Sequence, residues 1–147
     1  MDTLSPQDRS ERMSRVRNGG GKAEMIVRRL VHGMGFRYRL YSAKLPGKPD
    51  LTFPRLRKVI FVHGCFWHRH DCPNGRRLPK SRLDFWAPKL ARNKQRDAEV
   101  QLALRGLGWD YLIVWECMTR DQERLRPILR AFLEQPKPSG DDGNYSR

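Results

Sequence analysis

The sequence predicts an α/β fold, a single domain with a central mixed sheet flanked by helices. Three observations carry this. Val59-Ile60-Phe61-Val62 is a run of four apolar residues, three of them β-branched, the pattern of a strand covered on both faces. Tyr111-Leu112-Ile113-Val114-Trp115 is a second run of this kind. Segments with apolar residues at helical spacing lie before, between and after these runs, an order that suits one sheet with helices packed on it.

A chain of 147 residues is large enough to bury a real core in one domain. Its 30 Lys and Arg against 16 Asp and Glu give a net charge of +14. An excess of this size in a compact domain points to a polyanionic partner, nucleic acid before any other. No run approaches the ~18 apolar residues of a membrane span, so no membrane partner is expected. Met1 to Ser10 is polar with no signal-peptide core, which predicts a cytoplasmic protein. Its three cysteines are then reduced, and metal ligation or plain burial are their open roles.

The elements follow in order. Residues 1–21 are Arg-rich and end in three glycines, a flexible basic arm with Arg9, Arg12, Arg15 and Arg17 suited to a phosphate backbone. From Lys22 to Met34, Ala23, Ile26, Val27, Leu30, Val31 and Met34 form one apolar stripe of a helix. Glu24 sits in its first turn, where the helix dipole favours a carboxylate. Phe36 to Tyr41 alternates as a half-exposed strand. Leu45 to Asp50 is a turn, Leu51 to Phe53 a strand, Pro54 to Arg57 a turn, and Lys58 to His63 the central strand. Asp50 starts one strand of this hairpin and His63 ends the other, so antiparallel pairing brings them close.

Pro73-Asn74-Gly75 reads as a turn and Arg76 to Ser81 as a basic loop. A long helix is expected from about Asp84 to Arg105, with Pro88 limiting where its regular bonding begins. Its first half is polar, and Ala98, Val100, Leu102, Ala103 and Leu104 are its expected packing residues. A buried strand, Tyr111 to Trp115, leads to Glu116 and Cys117. The last helix starts near Asp121 and packs through Leu125, Ile128, Leu129, Phe132 and Leu133. Residues 135–147 read as a disordered tail.

Chemistry concentrates just past the central strand, in His63-Gly64-Cys65-Phe66-Trp67-His68-Arg69-His70-Asp71-Cys72. Cys65, Cys72 and a histidine supply three ligands of the soft and borderline type, and Cys117, past another strand, can complete a closed tetrahedral zinc shell. Spacing does not choose between His68 and His70, which have the same parity. Asp50, His63, His68 and Glu24 can form a second polar site. A carboxylate there suits Mg2+, and an imidazole, with an ordinary pKa of about 6.5, can take a proton from water. On a polyanionic substrate this combination suggests phosphodiester hydrolysis. Phe66, Trp67 and the Phe85-Trp86 pair are candidates either for core packing or for apolar wedges in a base stack.

Together these residues resemble the very short patch repair (Vsr) family of DNA mismatch endonucleases. The resemblance runs from about Met13 to Phe132. It is carried by Leu45-Pro46-Gly47-Lys48-Pro49-Asp50, Phe61-Val62-His63-Gly64-Cys65-Phe66-Trp67-His68, His70 and Cys72, Phe85-Trp86, Leu107-Gly108-Trp109 and Val114-Trp115-Glu116-Cys117. It implies a restriction-endonuclease-like fold over residues 22–134. The implied activity nicks one strand of double-stranded DNA 5′ to the thymine of a T:G mismatch left by 5-methylcytosine deamination. Asp50 and the Val62 backbone would hold Mg2+, with His68 as general base and Glu24 and His63 orienting water and phosphate. Cys65, His70, Cys72 and Cys117 would surround a structural Zn2+. Phe66, Trp67 and Trp86 would enter the stack beside the mismatch while the N-terminal arm embraces the DNA. A monomer, nucleoid-associated when bound to DNA, with mismatch-repair proteins as further partners, completes the expectation.

Two positions depart from the family pattern. Val62 stands where Thr is frequent, which is harmless if the backbone carbonyl serves the metal, and Arg69 interrupts a histidine run. The rival readings are a non-catalytic zinc-stabilised DNA-binding module and a related nuclease with different substrate choice.

Overall fold

The computed structural model describes residues 21–78 and 82–136. The expected arm, with Arg9, Arg12, Arg15 and Arg17, and the tail from residue 137 onward lie outside the described residues. Helix α1 spans Lys22–Gly33, and its stripe buries Val27, Leu30 and Val31. It ends where Gly35 adopts a left-handed φ of +96°, a conformation that glycine enters without a Cβ clash. Strands β1 (Arg39–Leu40), β2 (Leu51–Phe53), β3 (Lys58–His63) and β4 (Asp110–Trp115) form one sheet in that order. The β1–β2 and β2–β3 pairs are antiparallel and β3–β4 is parallel. Helix α2 (Pro73–Arg76) is a single turn, and α3 (Leu83–Gly106) is the long crossover between β3 and β4. A 3-10 turn, Glu116–Arg120, leads to α4 (Gln122–Glu134).

Alternation along β3 sorts the core into two faces. Ile60 and Val62 pack with Val27, Leu30 and Val31 of α1 and with Leu125, Leu129, Phe132 and Leu133 of α4. Val59 and Phe61 pack with Leu45, Leu104 and Trp109 under α3. The result is a four-stranded mixed sheet between helices, with His63 at the end of the α3-facing series. Lys58, fully buried at the start of β3, donates to the carbonyls of Phe132 (2.5 Å) and Gln135 (2.6 Å). It thereby meets carbonyl groups that the end of α4 leaves without helical partners.

Several expectations change. The strand expected over Phe36 to Tyr41 contracts to Arg39–Leu40, the two residues that pair with β2, and it stops there because Tyr41 turns to a φ of 49° and leaves the extended region. The expected turn at Pro73-Asn74-Gly75 is the helical turn α2, with Pro73 at its first position and the Cys72 sulfur accepting from Gly75 N–H. Helix α3 starts at Leu83, ahead of Pro88. Of its expected packing residues only Leu104 is buried and Val100 half-buried, while Leu102 is 74% exposed. Strand β4 is mostly half-buried, with Val114 alone fully covered. Ile128 faces outward, since the buried set Leu125, Leu129, Phe132 and Leu133 already fills the inner face of α4. Among the described residues, no helix is long and apolar enough to cross a membrane.

Candidate active site and metal cluster

The β3–β4 pairing sets His63 opposite Trp115, so the chains leaving these two strands converge. From β3 the loop Gly64–Cys72 turns back on itself, with His68 N–H bonded to Gly64 C=O and His70 N–H to Cys65 C=O. Arg69 takes a left-handed φ of 55° between the two histidines. That reversal separates residues of equal parity: His68 turns to a cleft under α3, and His70 turns to the cysteines.

Cys65, His70, Cys72 and Cys117 present ligand atoms within 4.8 Å of one another, a cluster able to hold a metal ion. Cys117 Sγ lies 3.6 Å from His70 Nδ1. Burial pushes the Cys65 thiol up to about 12, so without a cation Cys65 is held as the thiol. Helix α2 presses on the loop so closely that a Cβ on Gly75 would meet the His70 carbonyl oxygen at 1.9 Å.

The cleft beside this cluster has a volume of about 470 Å³, and Tyr41, Asp50, His63, His68, Arg96 and Asp97 are among its lining residues. Asp50 stands just before β2, 5% exposed, and its Oδ2 accepts from Val62 N–H at 2.7 Å. Val62 lies beyond the β2–β3 paired stretch, so a side chain replaces the strand partner. Burial first, and then the neighbouring Glu24 carboxyl, raise Asp50 to about 7 against the lowering effect of that bond. Glu24, 1% exposed, accepts from Tyr41 OH at 2.6 Å and from the Arg28 guanidinium. Its place in the first turn of α1 thus serves a buried network as well as the helix dipole.

His63 and His68 stack with ring centroids 3.8 Å apart and planes 11° apart. Burial, with His68 beside it, lowers His63 to about 3 against the pull of Asp97, so His63 is a neutral imidazole. His68 Nδ1 is 2.6 Å from Asp97 Oδ2. Asp97 is the member of this cleft that the sequence reading missed, although a signal for it existed. Leu90, Asn93, Asp97, Val100 and Leu104 fall at i, i+3, i+7, i+10 and i+14, the inward stripe of α3, and Asp97 is a carboxylate on that stripe.

Phe66 and Trp67 are half-buried in an aromatic row that continues into α3. Phe66 meets Trp67 at 5.2 Å, Trp67 meets Trp86 at 5.5 Å, and Trp86 meets Phe85 at 5.4 Å. Cations lie on the row: Arg69 and Arg77 over Phe66, and Arg82 and Lys89 over Phe85. Rings that expose π-faces next to positive charge suit stacked bases and phosphates together.

Residues 1–74 match the family described as DNA mismatch endonuclease Vsr. The type II nicking enzyme V.XorIIP of Xanthomonas oryzae pv. oryzae is 47% identical over 133 residues, 90% of this chain and 97% of the relative. The DNA mismatch endonuclease Vsr of Escherichia coli K12 is 40% identical, over 84% of this chain and 79% of the relative. The type II nicking enzyme V.NmeAIP of Neisseria meningitidis is 35% identical over 92% and 96%. An endonuclease acting on DNA is the class these likenesses define. The chain belongs to the Vsr family of DNA mismatch endonucleases.

Proposed function

We propose that this chain nicks one strand of double-stranded DNA 5′ to the thymine of a T:G mismatch produced by deamination of 5-methylcytosine. The observation that carries this reading is the cleft itself, which gathers Asp50, His63 and the His68–Asp97 pair, with the Glu24 carboxyl against Asp50 and the cleft residue Asn93 donating to the carbonyl of Trp67 in the aromatic row.

In this reading Asp97 accepts the Nδ1 proton of His68 and fixes its tautomer, which leaves Nε2 free to take a proton from water. Two buried carboxyls in contact, Asp50 and Glu24, repel each other when ionised, so the pair fits a hard cation held by the Asp50 carboxylate and the Val62 carbonyl. The chemistry a bound Mg2+ supplies is stabilisation of the charge that builds on the phosphate oxygens. Glu24 and His63 orient the water and the phosphate. Phe66, Trp67 and Trp86 open the stack at the mismatch.

The cysteine cluster fits structural zinc. A tetrahedral ion with Zn–S of about 2.3 Å and Zn–N of about 2.0–2.1 Å separates sulfur and nitrogen ligands by about 3.6 Å, and Cys117 Sγ to His70 Nδ1 is 3.6 Å. The three cysteines and one histidine leave no open position, as expected of a site that holds a loop rather than a substrate. The four-stranded mixed sheet is consistent with a restriction-endonuclease-like domain over residues 22–134. The remaining assignments are a DNA-embracing arm over 1–21, a cytoplasmic monomer and mismatch-repair proteins as further partners.

The test is a nicking assay with Mg2+ on a duplex library that varies the mismatch and its flanks. Cleavage 5′ to the thymine of T:G, absent from A:T and G:C versions, is the expected result. Equal cutting of all versions would replace the mismatch assignment with a nuclease of different substrate choice. Binding to the duplex without any cleavage would leave a zinc-stabilised DNA-binding module.

A further inference from the structure

We propose that His63, His68 and Asp97 form a second metal site, selective for a borderline transition-metal ion such as Zn2+ or Co2+, and that filling it stops cleavage. Nδ1 or Nε2 of each histidine and a carboxylate oxygen of Asp97 lie within 4.8 Å of one another. An independent observation points into the same space. His63 is 7% exposed, yet its Nδ1 is buried and has no hydrogen-bond partner among the described residues. Asp97 Oδ2 lies 3.9 Å from that nitrogen, too far for a hydrogen bond. A buried imidazole nitrogen with no partner is rare and calls for an occupant.

The donor set decides which occupant. Two imidazoles and one carboxylate suit zinc, cobalt or nickel, whereas Mg2+ prefers oxygen alone. Three protein ligands at the wall of an open cleft leave a position free, in contrast to the closed cysteine cluster. Ring torsions of histidine are soft, so the two stacked rings can turn their lone pairs toward a common ion. The cleft therefore carries two neighbouring positions of opposite preference, Asp50 with Glu24 for a hard cation and His63 with His68 and Asp97 for a softer one. An ion on the second would take His68 and Asp97 as ligands together and so replace the hydrogen bond between them. The inhibition rests on the role given to His68 above, whereas the binding does not.

The test uses the full-length chain carrying one zinc. Cobalt(II) is titrated without Mg2+ and followed by visible ligand-field absorption and by near-ultraviolet thiolate charge transfer. One added equivalent should bind with ligand-field bands and no thiolate signal, and Asp97→Asn and His63→Gln should each weaken it tenfold or more. Binding that appears only with thiolate signal, or that both variants leave unchanged, overturns the proposal. Should a variant lose its zinc or its helical circular dichroism, wild-type histidine NMR decides the matter. Cobalt should broaden His63 and His68 while the exposed His32 stays sharp, and broadening of His70 alone would again overturn the site. Zn2+ beyond one equivalent should suppress nicking at fixed Mg2+; tight binding without inhibition would remove the regulatory half. A chain that never nicks would fail the proposed function and leave the binding result readable.

Discussion

The imidazole of His70 lies flat on the indole of Trp115, with centroids 4.2 Å apart and planes 16° apart. The same indole meets His63 edge-on at 5.3 Å and His68 at 6.4 Å. Trp115 therefore stands between the cysteine cluster and the cleft, and a column of rings joins the two. The cluster sets the position of His70, His70 backs Trp115, and Trp115 backs the stacked histidines.

Replacing that indole should decouple the cleft from the cluster. Trp115→Leu is expected to keep one zinc per chain and an unchanged KM for DNA while kcat falls roughly tenfold through misplacement of His63 and His68. Metal analysis together with steady-state nicking checks this. A variant with wild-type kcat would show that the column is only packing.

Asp97→Ala removes the group that orients His68. Its nicking rate should drop by about 10²–10⁴ at pH 7, the range spanned by general-base catalysis and by loss of a base-orienting carboxylate. Binding to the mismatched duplex, read by fluorescence anisotropy, should stay within a few-fold of wild type. A rate within twofold of wild type would remove Asp97 from the reaction.

Asp50 and His63 act oppositely on stability as pH changes. Asp50 is raised from 3.8 to about 7, so its favourable contribution is complete below its ordinary value and is lost as pH rises through about 7. His63 is lowered from 6.5 to about 3, so its contribution is complete above 6.5 and is lost as pH falls toward 3. Asn at position 50 keeps an oxygen for Val62 N–H but never ionises. Without added Mg2+, Asp50→Asn should be more stable than wild type at pH 8 by on the order of 1–3 kcal/mol, with the difference closing by pH 4. Denaturant melts at both values test the sign, and a less stable variant at pH 8 would contradict it.

Lys58→Met should leave the carbonyls of Phe132 and Gln135 without the donor that now meets them. Loss of two hydrogen bonds to a charged group is expected to cost about 2–4 kcal/mol. Urea denaturation should show a lower midpoint with an unchanged slope. Zinc content should remain one per chain, because the cluster lies at the opposite end of β3.

Much of this structure is legible in the residues because period-2 and period-3.6 patterns dominate it. The stripe of α1 and the run of β3 fold as their patterns direct, and the adjacency of Asp50 and the end of β3 follows from a short hairpin. What is not legible depends on single dihedral angles or on partners far along the chain. The left-handed turn at Arg69 assigns His70 to the cysteines and His68 to the cleft, and nothing in an arginine announces that turn. Tyr41 cuts β1 short in the same way. Asp97 sits in a segment whose many charges hide its inward stripe, and its partner histidine is 29 residues away. Leu102 and Ile128 show that an apolar residue on a helix need not lie on its inner face.

The parallel pairing of β3 with β4, across the whole length of α3, also sets a clock on synthesis. The ribosome delivers Asp50, His63, Cys65 and His68 first, and Asp97, Trp115 and Cys117 only later. At about 5–20 residues per second, the nascent chain spends some seconds with half a cleft and an open cysteine cluster. A DNA endonuclease of this topology is thus incomplete while it is being made, and both the cleft and the cysteine cluster close only after the last strand docks.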